Sequence, residues 1–181
     1  MQYEKTVILR DGRNCLIRNA SAEDADPVLA SFRKTHEESS FLLSYPEEIS
    51  FTLEDEALYL RKKAESGREA ELVAIVDGHI CGSAGIDAIG NSQKIRHRAE
   101  FGISIEAGFQ DLGIGSAMVD ASIECARRAG YRVLELEVVD SNSKALSLYR
   151  RKGFREYGIH PMGFALKDGS MQKLVMMYIE L

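Results

Sequence analysis

The stretch from residue 103 to 118, I-S-I-E-A-G-F-Q-D-L-G-I-G-S-A-M, constrains the fold more than any other part of the chain. A β-branched run that predicts a strand ends at Ala107-Gly108, and a helical pattern begins around Gly113 and Gly115. A strand that leads through a glycine-rich turn into a helix leaves unpaired backbone N–H groups at the positive end of the helix dipole. Such a turn suits phosphate groups, and glycine permits it because glycine lacks a Cβ and adopts positive φ.

The two glycines alone do not distinguish this turn from an ordinary tight turn before a helix. No Lys-Ser or Lys-Thr pair follows them, so the stretch is not a P-loop, and the third glycine of a dinucleotide-binding turn is absent. The interpretation therefore depends on residues further along the chain.

Length and composition predict one domain, 1–181, because no repeat, low-complexity tract or linker divides the chain. The net charge of −5 argues against sequence-independent binding to nucleic acid. The histidines lack metal-ligand spacing, and no apolar stretch predicts a signal peptide or a membrane span. The three cysteines form no disulfide framework, which favours a reducing compartment, and we expect a cytoplasmic protein without a metal: Cys15, Cys81 and Cys125.

Turn and capping signals predict strands that alternate with helices, as in a mixed α/β protein. The predicted helices follow the capping residues Ser21 and Thr52, the glycine turn, and Asn142. The segment 157–171 is predicted to be the loop before the last strand. The predicted strands form a hairpin at 6–18 and then occupy 72–76, 80–89, 98–105, 131–139 and 174–179.

A second motif follows the strand at 131–139 and reads D-S-N-S-K-A-L-S-L-Y-R-R-K-G-F. Together with Q-D-L-G-I-G, it resembles the GNAT superfamily of acetyl-CoA-dependent N-acetyltransferases. The Gln-x-x-Gly-x-Gly segment matches the pyrophosphate loop of that family, in which Arg or Gln commonly occupies the position of Gln110. The resemblance spans about residues 14–181, and the second cofactor motif matches at Asn142, Ala145, Leu148-Tyr149 and Gly153-Phe154.

The resemblance implies the GNAT fold, in which a central mixed β-sheet, flanked by helices, is splayed between two neighbouring parallel strands. These would be the strands at 98–105 and 131–139, with the pantetheine arm of acetyl-CoA between them. Capping of the following helix would by itself explain Asn142. The implied cofactor-binding residues are Ile103, Ser104, Ile105, Gln110, Asp111, Leu112, Gly113, Ile114, Gly115, Ser116, Asn142, Ala145, Tyr149 and Lys152.

Two catalytic residues are implied, Tyr149 as general acid and Glu100 as general base. A phenol has a pKa about 1.5 units above that of a thiol, so a hydrogen bond to the departing thiolate is the main role expected of Tyr149. The alternative for Glu100 is a surface carboxylate paired with Arg96 or Arg98. Glu106 is a second candidate base, although it would lie in the path of the cofactor.

Backbone N–H groups near Ile105 are expected to stabilise the developing oxyanion through a bulge at Glu106-Ala107. The implied acceptor is a primary amine of a small molecule, which attacks directly in a ternary complex. Alternatives are the N-terminus of a protein such as a ribosomal protein, or a non-catalytic acyl-CoA-binding module. The last strand is apolar enough to need cover at a sheet edge, which suggests a homodimer. Candidate acceptor-binding residues are Glu37, Phe41 and Tyr45.

Overall fold

The computed structural model describes residues 2–181, which form an eight-stranded open sheet with helices on both faces. The strand order is β1-β2-β3-β4-β5-β6-β8-β7, and only the β5–β6 pair is parallel. The predicted mixed α/β fold is confirmed. The strands are β1 (Glu4–Ile8), β2 (Asn14–Asn19), β3 (Ala70–Val76), β4 (His79–Ala88), β5 (Arg98–Ile105), β6 (Val133–Val139), β7 (Arg155–Ala165) and β8 (Met171–Glu180). The helices are α1 (Ala25–Glu38), α2 (Leu53–Glu65), α3 (Ile114–Arg128) and α4 (Ser143–Arg151).

Local signals set the ends of most elements. The β1–β2 hairpin turns at Gly12, which has φ of 87°. At the start of α2, Thr52 Oγ1 accepts a hydrogen bond from the Asp55 backbone N–H at 3.1 Å, and Asp55 bonds back, forming the expected capping box. Gly130 and Gly153 follow the ends of α3 and α4 with positive φ, where glycine avoids the strain that a Cβ would cause.

Apolar side chains pack on both faces of the sheet. The larger core joins the sheet to α3 and α4, with Met118 and Leu134 fully buried. A smaller core joins β3 and β4 to α1 and α2 around Leu60 and Val73. Each such buried side chain contributes about 1.5–3 kcal/mol of apolar transfer free energy. None of the helices in residues 2–181 has the length and apolar character needed to cross a bilayer.

The parallel ladder between β5 and β6 is short. Only Arg98–Val133, Ala99–Leu134 and Glu100–Glu135 are paired, whereas β6 pairs with β8 from Val133 to Val139. From Phe101 onward β5 has no partner on its β6 side. The sheet is therefore splayed between the two strands named in the sequence analysis.

The last two strands differ from the prediction. The segment that we expected to be a loop, 157–171, lies largely in β7. Gly158, Pro161 and Gly163 hid this strand from sequence analysis, since such residues are depleted in regular strands. They are accommodated by register shifts between Glu156 and Gly158 and between His160 and Phe164.

The position of β8 also corrects the argument for a homodimer. This strand lies between β6 and β7, so it is an interior strand and needs no cover from a second chain. The sheet edge on this side is β7, which exposes Tyr157, Ile159 and Met162. The reason that we gave for dimerisation is therefore wrong.

An ion pair at the start of α1 gives a test of fold stability. Both carboxylate oxygens of Asp24 accept hydrogen bonds from Arg18, at 2.7 and 2.8 Å. This pairing, against the opposing effect of burial, lowers the pKa of Asp24 to about 2. We expect Asp24→Asn to lower the free energy of unfolding by about 2 kcal/mol at pH 7, measured by urea denaturation.

The pH dependence of this loss follows from the direction of the pKa shift. The stabilisation by Asp24 is fully present above the unfolded-state pKa, near 3.9, and disappears as the pH falls towards about 2. The difference between wild type and variant should shrink over that window. Glu23→Gln, at the exposed neighbouring position, is the matched control and should change stability by less than about 0.5 kcal/mol. A pH-independent difference would contradict this account.

Candidate active site

The turn before α3 presents a row of free backbone donors. Asp111 and Gly113 have φ of 62° and 100°, so the chain alternates between right- and left-handed conformations as it enters the helix. Across the described residues 2–181, the N–H groups from Asp111 to Ser116 have no hydrogen-bond acceptor. Consecutive N–H groups in such a concave turn, at a helix N-terminus, form an anion-binding site.

Hydrogen bonds and an ion pair from other parts of the chain hold this turn in place. The Arg10 backbone N–H donates to the Leu112 carbonyl at 3.0 Å, and Arg10 Nη1 donates to the Asp111 carbonyl at 3.0 Å. Gln110 Nε2 donates to the Ile105 carbonyl at 3.2 Å. Lys144 Nζ lies 2.7 Å from Asp111 Oδ2. Sequence analysis missed Arg10 because its contact with the turn spans about a hundred residues, with no local signal.

The open edge of β5 offers a second set of backbone groups. The Arg98 carbonyl and the Glu106 N–H both bond to residues of β4 or its extension. Because backbone groups alternate in direction along a strand, those of Phe101, Ile103 and Ile105 face the gap instead. An extended, amide-containing chain can pair with such an edge as an added strand does. The structure thus places the predicted residues 103–105 along the gap.

Asn142 and Lys152, which were named as cofactor ligands and flank α4, also have partners within the chain. Asn142 Oδ1 accepts a hydrogen bond from the Ala145 backbone N–H at 3.1 Å, which caps α4. Lys152 Nζ lies 2.6 Å from Asp120 Oδ2 on α3. Capping alone is enough to explain Asn142, and Lys152 contributes a cation between α3 and α4.

Tyr149 lies at the point where the sheet opens. Its ring packs against Phe101, the first β5 residue without a β6 partner, and against Phe154, with centroids 6.0 and 5.8 Å apart. Its hydroxyl has no hydrogen-bond partner among residues 2–181. Burial raises the pKa of Tyr149, so the phenol remains protonated and available as a donor.

On the α1–α2 face of the sheet, the gap opens into a cleft of about 660 Å³. Its floor is made by the side-by-side pairs Gly85–Gly102 and Ser83–Ser104 of β4 and β5. The space above Gly102 is open, whereas the Glu71 carboxylate occupies the space above Gly85. Although carboxylates also line this cleft, no metal-binding group of His, Cys, Asp or Glu is present in residues 2–181.

Glu100 lies in this cleft, between Asp87 of β4 and Glu135 of β6 in the strand register. Arg98, which we considered as its partner, instead donates to both carboxylate oxygens of Glu135. Burial raises the pKa of Glu100, and the nearby carboxylates of Asp87, Glu137 and Glu135 raise it further. A carboxylate with a raised pKa is a stronger base than an ordinary surface carboxylate.

Glu71 is a cleft residue that sequence analysis missed. It lies in the otherwise apolar run of β3, opposite Gly85, and a Cβ on that glycine would be 2.9 Å from Glu71 Oε2. The Tyr59 hydroxyl donates to the same oxygen at 3.2 Å. Burial raises the pKa of Glu71 to about 7. The sequence pattern of this strand is typical of fully buried core. Only the pairing of Glu71 with Gly85 shows that the carboxylate lies beside the cleft.

Glu106 is not among the residues that line the cleft. Its carboxylate is fully buried, 2.6 Å from Lys34 Nζ and 3.0 Å from His79 Nε2. Burial by itself raises the pKa of Glu106, but hydrogen bonds from Lys34 and His79 outweigh it, so the pKa lies below its usual range. Glu106 is thus an ionised structural group rather than a poised base.

The bulge that we expected at Glu106-Ala107 is absent there. The Glu106 N–H donates to the Cys81 carbonyl at 2.9 Å, and the Ala107 N–H donates to Glu38 Oε2 at 2.6 Å. The irregular register lies one strand pair away, between Ala74 and Ile75 of β3. The β4–β5 register has no shift up to Ile105, and both N–H groups that follow already have acceptors.

The three candidate acceptor residues lie near the cleft without forming its lining. Glu37 and Phe41 are exposed, and the Tyr45 hydroxyl accepts a hydrogen bond from the Lys167 backbone N–H at 2.9 Å. Their neighbours His36 and 42–44 line the cleft instead. The predicted segment adjoins the cleft, but the side chains that face the cavity are offset from those we named.

Comparison with known proteins identifies a family. Residues 31–154 match the acetyltransferase (GNAT) family model. The L-amino acid N-acetyltransferase of Escherichia coli is 26% identical over 159 residues, covering 85% of this chain and 90% of that protein. The ribosomal protein bS18-alanine N-acetyltransferase of Escherichia coli is 32% identical over 76 residues, covering 42% of this chain and 51% of that protein.

Solved structures show the same fold. A GNAT-family acetyltransferase from Streptococcus pneumoniae superposes with a TM-score of 0.89 at 28% identity, covering 92% of this chain and 99% of that one. A structure from Salmonella typhimurium, solved with its cofactor acetyl-CoA, gives a TM-score of 0.82 at 18% identity and covers 93% and 94% of the two chains.

The turn before α3, with its free N–H groups from Asp111 to Ser116, is called the donor turn, and it gives a prediction with an internal control. Gly113 and Gly130 flank α3, have φ of 100° and 81°, and have no neighbour within 4 Å of an added Cβ. Replacing either by Ala should cost about 1–2 kcal/mol of stability, because both substitutions force a Cβ into the left-handed region. Only Gly113→Ala distorts the free N–H groups. It should weaken acetyl-CoA binding about tenfold or more, measured by calorimetry.

Wild-type protein provides the reference for this comparison. Acetyl-CoA at 100 times its dissociation constant should stabilise the fold by about 2.7 kcal/mol. Gly130→Ala should keep wild-type affinity while losing a similar amount of stability. Equal affinities for the two variants would mean that the turn has no role in binding.

Proposed function

The chain belongs to the GNAT acetyltransferase family, and we propose that it transfers the acetyl group of acetyl-CoA to the primary amine of a small molecule. The amine attacks directly while both substrates are bound. The observation that carries this proposal is the gap between β5 and β6, since it joins the free N–H groups before α3 to the carboxylate-lined cleft.

The residues around the gap suit acetyl-CoA, which supplies the acetyl group as a thioester. The free N–H groups from Asp111 to Ser116 match a pyrophosphate, and the helix dipole of α3 adds to the attraction. The backbone groups of Phe101, Ile103 and Ile105 match the amides of a pantetheine arm. The N–H groups of the turn have no acceptor within residues 2–181, and β5 has no ladder partner on its β6 side beyond Glu100, which supports an extended anionic ligand along this path.

Glu100 is the proposed general base. A primary amine with a pKa near 10.4 is only about one thousandth neutral at pH 7.4, which corresponds to about 4 kcal/mol. Glu100 lines the cleft at the end of the paired β5–β6 segment, so it can take the amine proton directly or through water. Because Glu100 lies beside the gap, we assign it the role of general base rather than only that of a negative charge that attracts the amine.

Tyr149 is the proposed hydrogen-bond donor to the leaving sulfur. Its hydroxyl is the one polar atom of an otherwise apolar cluster with Phe101 and Phe154, and it lies on the α4 side of the gap. The burial that raises its pKa also disfavours complete proton transfer. Tyr149 therefore acts mainly by donating a hydrogen bond while charge develops on sulfur.

An acceptor screen tests the proposal as a whole. Acetyl-CoA is incubated with the protein and a panel of amines, and free thiol is followed. We expect thiol release that requires an amine and is saturable in it. A second candidate is acetylation of protein N-termini, which the similarity to the Escherichia coli bS18-alanine acetyltransferase favours. In that case peptides with N-terminal alanine should exceed every small amine in kcat/KM.

Tyr149→Phe isolates the hydroxyl. The ring contacts with Phe101 and Phe154 remain, and the hydroxyl has no partner within residues 2–181, so stability should change by less than about 0.5 kcal/mol. By contrast, kcat should fall by about 10-fold to 1000-fold while acetyl-CoA affinity stays the same. An unchanged kcat, with chemistry limiting in wild type, would remove Tyr149 from the mechanism.

Glu100→Gln is best measured as a pH profile. Activity requires the deprotonated carboxylate, so the wild-type rate should fall as the pH drops through the raised pKa of Glu100. The variant should lose this acidic limb along with about 10²–10⁴ in kcat. Glu71→Gln is the matched comparison, because Glu71 lies in the same cleft with a pKa near 7. Loss of the limb in Glu71→Gln alone would reassign the base to Glu71.

A further inference from the structure

The cleft holds more carboxylates than cations. Two cations reach its carboxylates, and each is already paired: Arg98 with Glu135, and Lys63 with Asp87. The remaining carboxylates have no cationic partner within 4.0 Å in residues 2–181, and they are Glu71, Glu100 and Glu137.

Neither cation is free to bind the carboxylate of a ligand. Arg98 uses Nε and Nη2 on the two oxygens of Glu135, the second at 2.7 Å. Lys63 is buried and also donates to the Ile86 carbonyl at 3.1 Å. The remaining basic side chain of the lining, His36, has its Nδ1 bonded to the Phe32 carbonyl at 2.7 Å. A ligand carboxylate would therefore meet carboxylates that have no cationic partner, and neither Arg98 nor Lys63 is free to compensate its charge.

The opposite wall of the cleft is apolar. Phe32 of α1 and the residues Leu42 and Leu43 after it face the acidic floor, with Ile89 beyond the end of β4. Leu43 is 78% exposed, so its apolar surface is available to a ligand at the mouth. Carboxylates without a cationic partner on the floor and apolar side chains on the facing wall suit a methylene chain that carries ammonium groups.

We propose that the acceptor is an alkyl diamine or polyamine, which carries a second positive charge and no carboxylate. This inference rests on the acetyltransferase function proposed above and adds the substrate class of its acceptor. One amine lies at Glu100 beside the gap, and the second charge is held by Glu137 or Glu71. The transfer forms an N–C bond at the first amine and breaks the C–S bond of the thioester. The amine proton passes to Glu100 and from there to solvent, the departing thiolate accepts a hydrogen bond from Tyr149 and takes a proton from solvent, and the second amine is unchanged.

Three acceptors of matched length test the proposal. Diaminobutane, butylamine and aminobutanoate share a four-carbon chain and one reacting amine, and differ in whether the far end is positive, neutral or negative. We expect kcat/KM to fall at least about tenfold at each step in that order. Raising the ionic strength should reduce the advantage of diaminobutane over butylamine, because salt screens the second charge.

Glu137→Gln tests where the second charge is held. Glu137 is exposed to the cleft and has no proposed part in the chemistry. At pH 8.5 the variant should lower the diaminobutane-to-butylamine ratio of kcat/KM by about threefold or more. Glu54→Gln, with the same charge change on α2 away from the cleft, should keep the wild-type ratio. If only Glu71→Gln lowers the ratio, the second charge lies at Glu71 and the proposal stands.

The outcomes separate this inference from the proposed function. If aminobutanoate, leucine or an alanine peptide is used as well as diaminobutane, the dicationic acceptor is wrong while the acetyltransferase function survives. Equal kcat/KM for diaminobutane and butylamine overturns it in the same way. If no amine or peptide releases thiol from acetyl-CoA bound to the protein, the proposed function itself fails.

Discussion

The short parallel ladder between β5 and β6 is the contact on which the rest of the site depends. Three residue pairs hold the two halves of the sheet together, and the two-point contact of Arg98 with Glu135 reinforces the closed end. The ladder stops at Phe101, whose ring packs with Tyr149 and Phe154 on the α4 side. Beyond this point β6 continues to pair with β8, so the edge of β6 that faces the gap remains ordered although it no longer pairs with β5.

Strand β5 also separates the negative carboxylate of Glu100 from the positive end of the α3 dipole at the anion-binding turn. The anion-binding turn follows β5, and the end of this strand at Ile105 lies five residues beyond Glu100, about 16 Å along the strand at the usual rise. This distance exceeds the Debye length of about 8 Å at physiological ionic strength. The acidic cleft and the anion-binding turn therefore coexist on one strand with little mutual cost.

Local features of the sequence were sufficient for most of the elements and for the donor turn. Strand β5, the left-handed Gly113 and the cap at Asn142 each follow from residues within a few positions, and the two motifs located the splay. Features that depend on distant contacts were not predictable in this way. The burial of Glu71, the support of the turn by Arg10 and the interior position of β8 arise only when strands far apart in sequence are paired.

Helix α1 connects the two sides of the site through the buried Glu106. Lys34 bonds to the Glu106 carboxylate and Glu38 accepts from the Ala107 N–H, so two side chains of α1 hold the segment that follows β5. A fully buried carboxylate is tolerated because Lys34 and His79 compensate for its lost hydration. The same helix places Phe32 and His36 on the wall of the cleft. The position of that wall is thereby fixed relative to the segment that leads from β5 into the turn before α3.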